Sequence, residues 1–282
     1  MTDVKLARIG MVNFINTAPI YEIWKELVHP QSWQVVEAVP TVLNRMLSEG
    51  ELDLGFVSSH EYCRQPQNYR ILADLSISAN GPVGSVFLFS QCPPQELDGQ
   101  IVLLSGQSQT SVYLLKIILE EFYGIRPVFQ VGDVREAGAK DWSGAGVLAI
   151  GDDALRLHGA KQFSWQLDLA EVWKEHTGLP FVFAVFAARE EFCLNYPDLL
   201  SAIHSKLVSC RKQGASSLVR ISRLVAPRIP MDPERCLTYL QAIQHDFDSI
   251  KQQALSRFFQ FLIQRGEASE EAQPLKIIPL TA

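Results

Sequence analysis

The sequence is sparing with the residues that announce most chemistries. Its five cysteines, Cys63, Cys92, Cys193, Cys210 and Cys236, are scattered, and no two form a CxxC pair. That pattern argues against a zinc site or a disulfide framework and reads as buried or idle thiols in a reducing compartment. His29, His60, His158, His176, His204 and His245 fall in no HExxH or other metal-ligand spacing, so each reads as a surface or satisfied core histidine, and no metal is expected. No stretch approaches the roughly 18 apolar residues of a membrane-spanning helix. The first residues, "MTDVKLARIGMVNFINTAPIYEIW", carry neither a long apolar segment nor a cleavage signature, and Asn13 and Asn16 interrupt their hydrophobic run. No signal peptide is expected, and the expected location is the cytoplasm. Positive charge is short as well: the net charge is −6, and no basic stripe with interleaved aromatics marks a nucleic-acid surface. A GxSxG elbow, a GxGxxG after the first strand and a P-loop are all missing.

What is present is a chain of 282 residues, 47% of them apolar, enough to pack one or two domains. Strand-like and helix-like segments alternate. "KLARIGMV" reads as a strand, and Pro19 opens a helix running to about Leu27. "WQVVEAVP" is a second strand. Pro40 then starts a helix with Val42, Met46 and Leu47 on one face and Gly50 as its stop. "LDLGFVS" follows as a short buried strand, and this alternation indicates βαβ units and a parallel sheet. "YRILADLSIS" and "GSVFLFS" read as strands joined by the Gly81-Pro82 turn. "PVFQVG" and "GVLAIGDDAL" add two more strands, and "LPFVFAVFAAR" is a long apolar one. From Glu190 to Gly266 the pattern is almost wholly helical. The last helix carries Leu255, Phe258, Phe259 and Leu262 on one face, a stripe better suited to core packing than to a membrane. The expected class is α/β with two lobes: residues 1–85 plus 185–282 as one, and 86–184 as a second, inserted lobe. A cleft between such lobes favours a ligand.

The stretch "LLSGQSQTSVYLLKIILEEFYG" (103–124) runs from strand through a cluster of hydroxyl and amide residues into a helix. Ser108 or Thr110 is a credible N-cap. A helix start has unpaired N–H groups and the positive end of the dipole, which suit a carboxylate or phosphate, although capping alone explains the residues equally well.

Six stretches together carry a family resemblance. They are "RIGMVNFINTAPI" (8–20), "VPTVLNRMLSEGELDLGFVSSHEY" (39–62), "GPVGSVFLFS" (81–90), "SGQSQTSVYLL" (105–115), "AIGDDAL" (149–155) and "WKEHTGLPFVFAVFAAR" (173–189). In order and spacing they resemble the chorismate dehydratase family of the futalosine route to menaquinone, over about residues 6–190. The resemblance implies a fold similar to type II periplasmic binding proteins. It also implies a carbon–oxygen hydro-lyase that converts chorismate, its small-molecule substrate, to 3-[(1-carboxyvinyl)oxy]benzoate without a cofactor.

The resemblance assigns Asn16 and Ser85 to catalysis. Thr110 and Ser111 become the expected direct donors to a substrate carboxylate, with Ser108 a cap that shares in binding. Ser58 and Gly151 join them at the strand ends, together with Asp152, for which capping of its own helix is the alternative because a carboxylate suits a dianion poorly. Asn13 reads as structural, and Glu61 as helix-start electrostatics rather than a base. Since no protein base lies near these motifs, the expected mechanism is a stepwise elimination in which the substrate's own side-chain carboxylate takes the C3 proton. Two rival readings remain: the sibling enzyme acting on cyclic dehypoxanthine futalosine, whose pattern has a His where this chain has Gly151-Asp152, and a cytoplasmic small-anion binding protein.

Overall fold

A computed structural model of the chain describes residues 6–27, 33–136, 144–229 and 231–279. The chain opens with β1 (Ala7–Val12), whose next turn, a 3-10 segment at Ile15–Thr17, leads into α1 (Ala18–Leu27). Then come β2 (Trp33–Ala38), α2 (Pro40–Ser48), β3 (Leu54–Ser58), α3 (Ser59–Arg64) and the long β4 (Tyr69–Ala79). The next strands are β5 (Val86–Ser90) and β6 (Ile101–Ser105), followed by α4 (Gln109–Ile117) and β7 (Val128–Gly132). After these lie β8 (Gly146–Ile150), α5 (Gly151–Ala160), β9 (Trp165–Asp168), α6 (Leu169–Thr177) and β10 (Phe181–Arg189). The C-terminal part holds α7 (Glu190–Asn195), α8 (Pro197–Ala215), α9 (Leu218–Val225), α10 (Pro233–Ala242), the short β11 (Ile243–Gln244), α11 (Ser249–Gln264) and β12 (Ile277–Ile278).

The strands form two sheets. The first has the order β11-β4-β10-β3-β1-β2, with β12 also on β4; the second has the order β7-β6-β8-β5-β9. The parallel pattern expected from the βαβ units holds where helices link the strands: β1 lies parallel to β2 and β3, and β6 parallel to β7 and β8. It does not hold throughout, because β10 runs antiparallel to β3 and β4, and β5 antiparallel to β8 and β9. The chain leaves the first sheet at Ala79 and returns at Phe181, so β10 re-enters opposite the strand by which the chain left and pairs with it head to tail. The Gly81-Pro82 turn therefore joins two sheets rather than two neighbours in one.

Packing corrects one expected face and supports another. On α2 the buried residues are Leu43, Asn44 and Leu47, while Val42 is exposed. On α11 the stripe of Leu255, Phe258, Phe259 and Leu262 is buried, with the Phe258 ring set edge-on to Trp173 and Phe181. Trp173 also donates its indole N–H to the Pro180 carbonyl at 3.1 Å, which fixes the second crossing between the sheets.

α8 lies against the start of α1 at Gly214. A Cβ on that residue would sit 1.6 Å from the carbonyl oxygen of Pro19, so the close approach needs a residue without one. Gly214→Ala must push α1 away from α8. Overpacking of this kind costs about 1–3 kcal/mol, which corresponds to a fall of roughly 3–10 °C in melting temperature for a domain of this size. Calorimetry of the two proteins checks this, and an unchanged Tm would show that the helices separate freely.

Candidate active site

A cavity of about 50 Å³ lies between the two sheets, where the chain crosses from one to the other. Its wall includes the starts of α2 and α5, at Pro40 and Gly151, and the caps of α3 and α4, at Ser58 and Ser108. Helix starts carry unpaired N–H groups and a positive partial charge, so converging them makes an anion-attracting space without a cation. Apolar rings and branched chains complete the wall: Phe14, Phe56, Phe183, Val83, Ile77 and Ile150 among them. Among the described residues, no lining side chain is titratable.

Of the residues singled out in the sequence, Asn16, Ser58, Ser85, Ser108, Ser111 and Gly151 come together on this wall. Asn16 sits in the 3-10 turn after β1, and its Oδ1 is buried without a protein partner. Ser85 follows the crossing turn. Its Oγ accepts from the Tyr239 hydroxyl at 3.1 Å, and its backbone carbonyl accepts from the Gly151 N–H at 2.8 Å. Gly151 itself has φ +55°, and the Phe14 ring lies where a Cβ would meet it at 3.0 Å, so both backbone and space require glycine.

Ser58 caps α3, accepting from the Glu61 N–H at 3.3 Å and from Asn44 Nδ2 at 2.9 Å. With both acceptor positions filled, its own proton is left to donate. Ser108 caps α4 in the same way, accepting from the N–H and the hydroxyl of Ser111, both at 3.3 Å.

Thr110 and Asp152 are not on the wall. Thr110 is fully buried, and its hydroxyl accepts from the His60 N–H at 2.9 Å, tying α4 to α3. Asp152 lies in the first turn of α5, directly after Gly151. Its Oδ1 is buried without a partner, and burial pushes its pKa up to about 6. Glu61 is turned away, bound to Tyr69 and Gln65 and paired with Arg64.

Four supporting residues escape sequence reasoning. Asn44 grips Ser58 twice, by Nδ2 and by Oδ1, which accepts from the Ser58 N–H at 3.2 Å. Its signal was available: an amide on the inward face of an amphipathic helix needs a buried partner. Asp168 caps α6 and also accepts from the Gly84 N–H at 2.7 Å, fixing the residue before Ser85. Tyr239 and His245 come from the C-terminal region, far away in sequence. His245 Nε2–H donates to the Asn16 carbonyl at 2.7 Å; burial lowers its pKa to about 4 and keeps the ring neutral.

Two sheets joined by a double crossing, with a neutral polar cleft between them, define a two-lobed α/β protein of the periplasmic-binding-protein type. The fold of a Candida albicans protein described as exhibiting the generic periplasmic binding protein fold matches at a TM-score of 0.72, with 9% identity over 97% of this chain and 96% of that one. The chain belongs to the menaquinone biosynthesis family, whose model matches residues 7–264. It is 31% identical to the chorismate dehydratase of Thermus thermophilus over 90% of this chain and 94% of that protein. It is 29% identical to the chorismate dehydratase of Campylobacter jejuni over 68% and 71% respectively.

The buried histidines give the fold an acid limit. His60 and His245 both have pKa values lowered to about 4 by burial, against an ordinary value near 6.5 in the unfolded chain. Between those values the unfolded chain binds more protons than the native one, so stability falls as pH drops from 7 to 4. Asp152, raised to about 6, opposes this over part of the range because its desolvated charge is relieved by protonation. The melting temperature should therefore decline from pH 7 to pH 4. His245→Gln, which keeps a donor for the Asn16 carbonyl but does not titrate, should decline less steeply. Parallel slopes for the two proteins would show that His245 does not set the limit.

Proposed function

We propose that this chain is a chorismate dehydratase, converting chorismate to 3-[(1-carboxyvinyl)oxy]benzoate in the futalosine branch of menaquinone biosynthesis. The observation that carries this reading is the cleft itself: hydroxyls, one amide and several helix starts around apolar walls, with no titratable side chain on the lining among the described residues. Such a space suits a ring dianion whose own carboxylate serves as the base. The family match and the named relatives support the same substrate.

In this reading the reaction needs little from the protein beyond placement and electrostatics. The C3 proton leaves first and its bonding pair stays in the ring as a carbanion conjugated with the ring carboxylate; the C4–O bond then breaks, and the departing hydroxide recovers that proton from the substrate's side-chain acid and leaves as water. Aromatisation drives the loss, and the side-chain carboxylate of the substrate accepts the proton. Helix starts and hydroxyls at Ser58, Ser108 and Ser111 hold the carboxylates and stabilise the carbanion-like intermediate. Asn16, whose Oδ1 has no protein partner, faces the leaving hydroxyl. Ser85, whose oxygen already accepts from Tyr239, is left with a proton to donate.

No metal or cofactor enters this scheme. The two lobes, expected at residues 1–85 with 185–282 and at 86–184, part to admit the ring, the return boundary lying at Phe181 where β10 rejoins the first sheet, since about 50 Å³ holds only a few waters. A cytoplasmic location is inferred from the substrate and from five free thiols; no helix among the described residues is long and apolar enough to cross a membrane.

Purified protein mixed with chorismate and followed by NMR should yield the aromatic product and water. Asn16→Ala should lower kcat by on the order of 10²–10³ with a much smaller effect on KM, because contact with a departing hydroxyl strengthens toward the transition state. Chorismate left intact by a folded wild-type protein would remove the assignment. Full turnover by a folded Asn16→Ala enzyme would remove the role of Asn16.

A further inference from the structure

We propose that Asn44 is a positioning residue that locks the Ser58 hydroxyl as a hydrogen-bond donor only, so that this corner of the cleft selects an ionised carboxylate. The inference rests on the dehydratase reading for the substrate that supplies the carboxylate, though not for its geometry. Asn44 lies one turn into α2, whose first residue, Pro40, is on the cavity wall. It shares the inward face of that helix with Leu43 and Leu47 and is 7% exposed. Ser58 ends β3 of the first sheet and lines the cavity. The two residues meet through two bonds. Asn44 Nδ2–H donates to Ser58 Oγ at 2.9 Å, and Asn44 Oδ1 accepts from the Ser58 N–H at 3.2 Å.

The direction of both bonds is forced. A backbone N–H can only donate, so the amide oxygen has to face it, and the amide nitrogen, which also only donates, then faces Ser58 Oγ. Turning the amide over would set one buried N–H against another and leave both unpaired. The Glu61 N–H, at the start of α3, donates to the same Oγ at 3.3 Å. Two donors on one oxygen take both lone pairs, so the hydroxyl hydrogen points away from Asn44 and from α3 alike. Among the described residues it meets no protein acceptor, and the side of Ser58 left to it is the cavity.

The fold does not need the nitrogen. Ser58 already caps α3, and its N–H requires only an oxygen. An amide within a helix is a poorer helix former than alanine or leucine and is costly to bury. What Nδ2 adds is the loss of choice at Ser58. Ser108, the other capping serine on the wall, shows the contrast. One of its two donors is the Ser111 hydroxyl at 3.3 Å, which can rotate, so Ser108 can still accept as well as donate. Ser58 has no such freedom. A carboxylate oxygen, which only accepts, matches it, and an N–H group does not. Because the hydroxyl is oriented before the ligand arrives, binding loses less rotational freedom there.

The test is a double-mutant cycle of Asn44→Ala and Ser58→Ala, with circular dichroism to confirm folding. It reads kcat and KM for chorismate and, by calorimetry, Kd for isophthalate, an unreactive ring with two carboxylates. Ser58→Ala should raise KM and the isophthalate Kd by roughly 10–100-fold, as expected for a lost hydrogen bond to a charged group. Asn44→Ala should raise both by about 3–30-fold, in the range for partners within one network. kcat should change far less than KM, because a carboxylate is held in ground state and transition state alike. Added to Ser58→Ala, Asn44→Ala should weaken binding no further, since its effect passes through that hydroxyl. An asparagine with a merely structural role would weaken binding in both backgrounds alike.

Equal losses in the two backgrounds overturn the proposal, as does a folded Asn44→Ala with wild-type KM and Kd. Should Asn44→Ala fail to fold, Asn44→Ser, whose shorter side chain cannot span both bonds, takes its place in the cycle. Should wild-type protein leave chorismate untouched, the dehydratase reading falls and the lock is judged on isophthalate alone. Its Kd must then rise with Asn44→Ala and rise no further in the Ser58→Ala background. A wild-type protein that binds neither molecule overturns the lock as well.

Discussion

The site depends first on how the chain is held where it crosses between the sheets. That task falls to Asp168, a carboxylate 4% exposed that accepts backbone N–H groups from Gly84, Ala170 and Glu171. Burying a carboxylate is costly, and burial does raise its pKa, but several backbone donors oppose the shift and make the ion tolerable. One side chain thus caps the helix that precedes the return crossing and anchors the turn of the outgoing one. Ser85 follows Gly84 directly, so its hydroxyl inherits a fixed position. Tyr239 then meets it from α10, and the Gly151 N–H meets its carbonyl. Ser85 and Gly151 are thereby both referred back to this crossing.

A second constraint shapes the cleft: it has to attract negative charge without a lysine or arginine on its wall. Several helices do this together by starting there, and serines cap two of them with hydroxyl protons to spare. The arrangement has a chemical advantage over a guanidinium. A cation paired with the substrate's carboxylates would lower their basicity, whereas partial charges from helix ends hold them without removing the base that the proposed elimination needs. Arg228 and Arg8 are occupied elsewhere, with Glu22 and Asp53.

Much of this was legible along the chain. The alternation of strands and helices, the Pro40 and Gly81-Pro82 punctuation, and the caps at Ser58 and Ser108 all follow from local chemistry. Hydrophobic period, fixed proline φ and the hydroxyl's competition for N–H groups act over a few residues. So does the need for glycine at 151, where the backbone turns left-handed. Six of the eight residues singled out in the sequence line one cavity because strand ends in this architecture all open on the same cleft. Of the two that do not, Thr110 lies between Ser108 and Ser111, where the turn of α4 points its hydroxyl to the His60 N–H instead, and Asp152 follows Gly151 in the first turn of α5.

The sequence by itself determined which segments are strands and helices, where most of the helices begin, and that small neutral donors gather at those beginnings. These are decisions made by a residue and its near neighbours. Only the tertiary structure decided that β10 returns antiparallel beside β4, that Tyr239 reaches Ser85 across 154 positions, and that His245 holds the carbonyl of Asn16 across 229. A tyrosine or histidine in a helical region carries no local mark of such a partner. The partner exists only once the sheets have packed and burial obliges each polar group to find another.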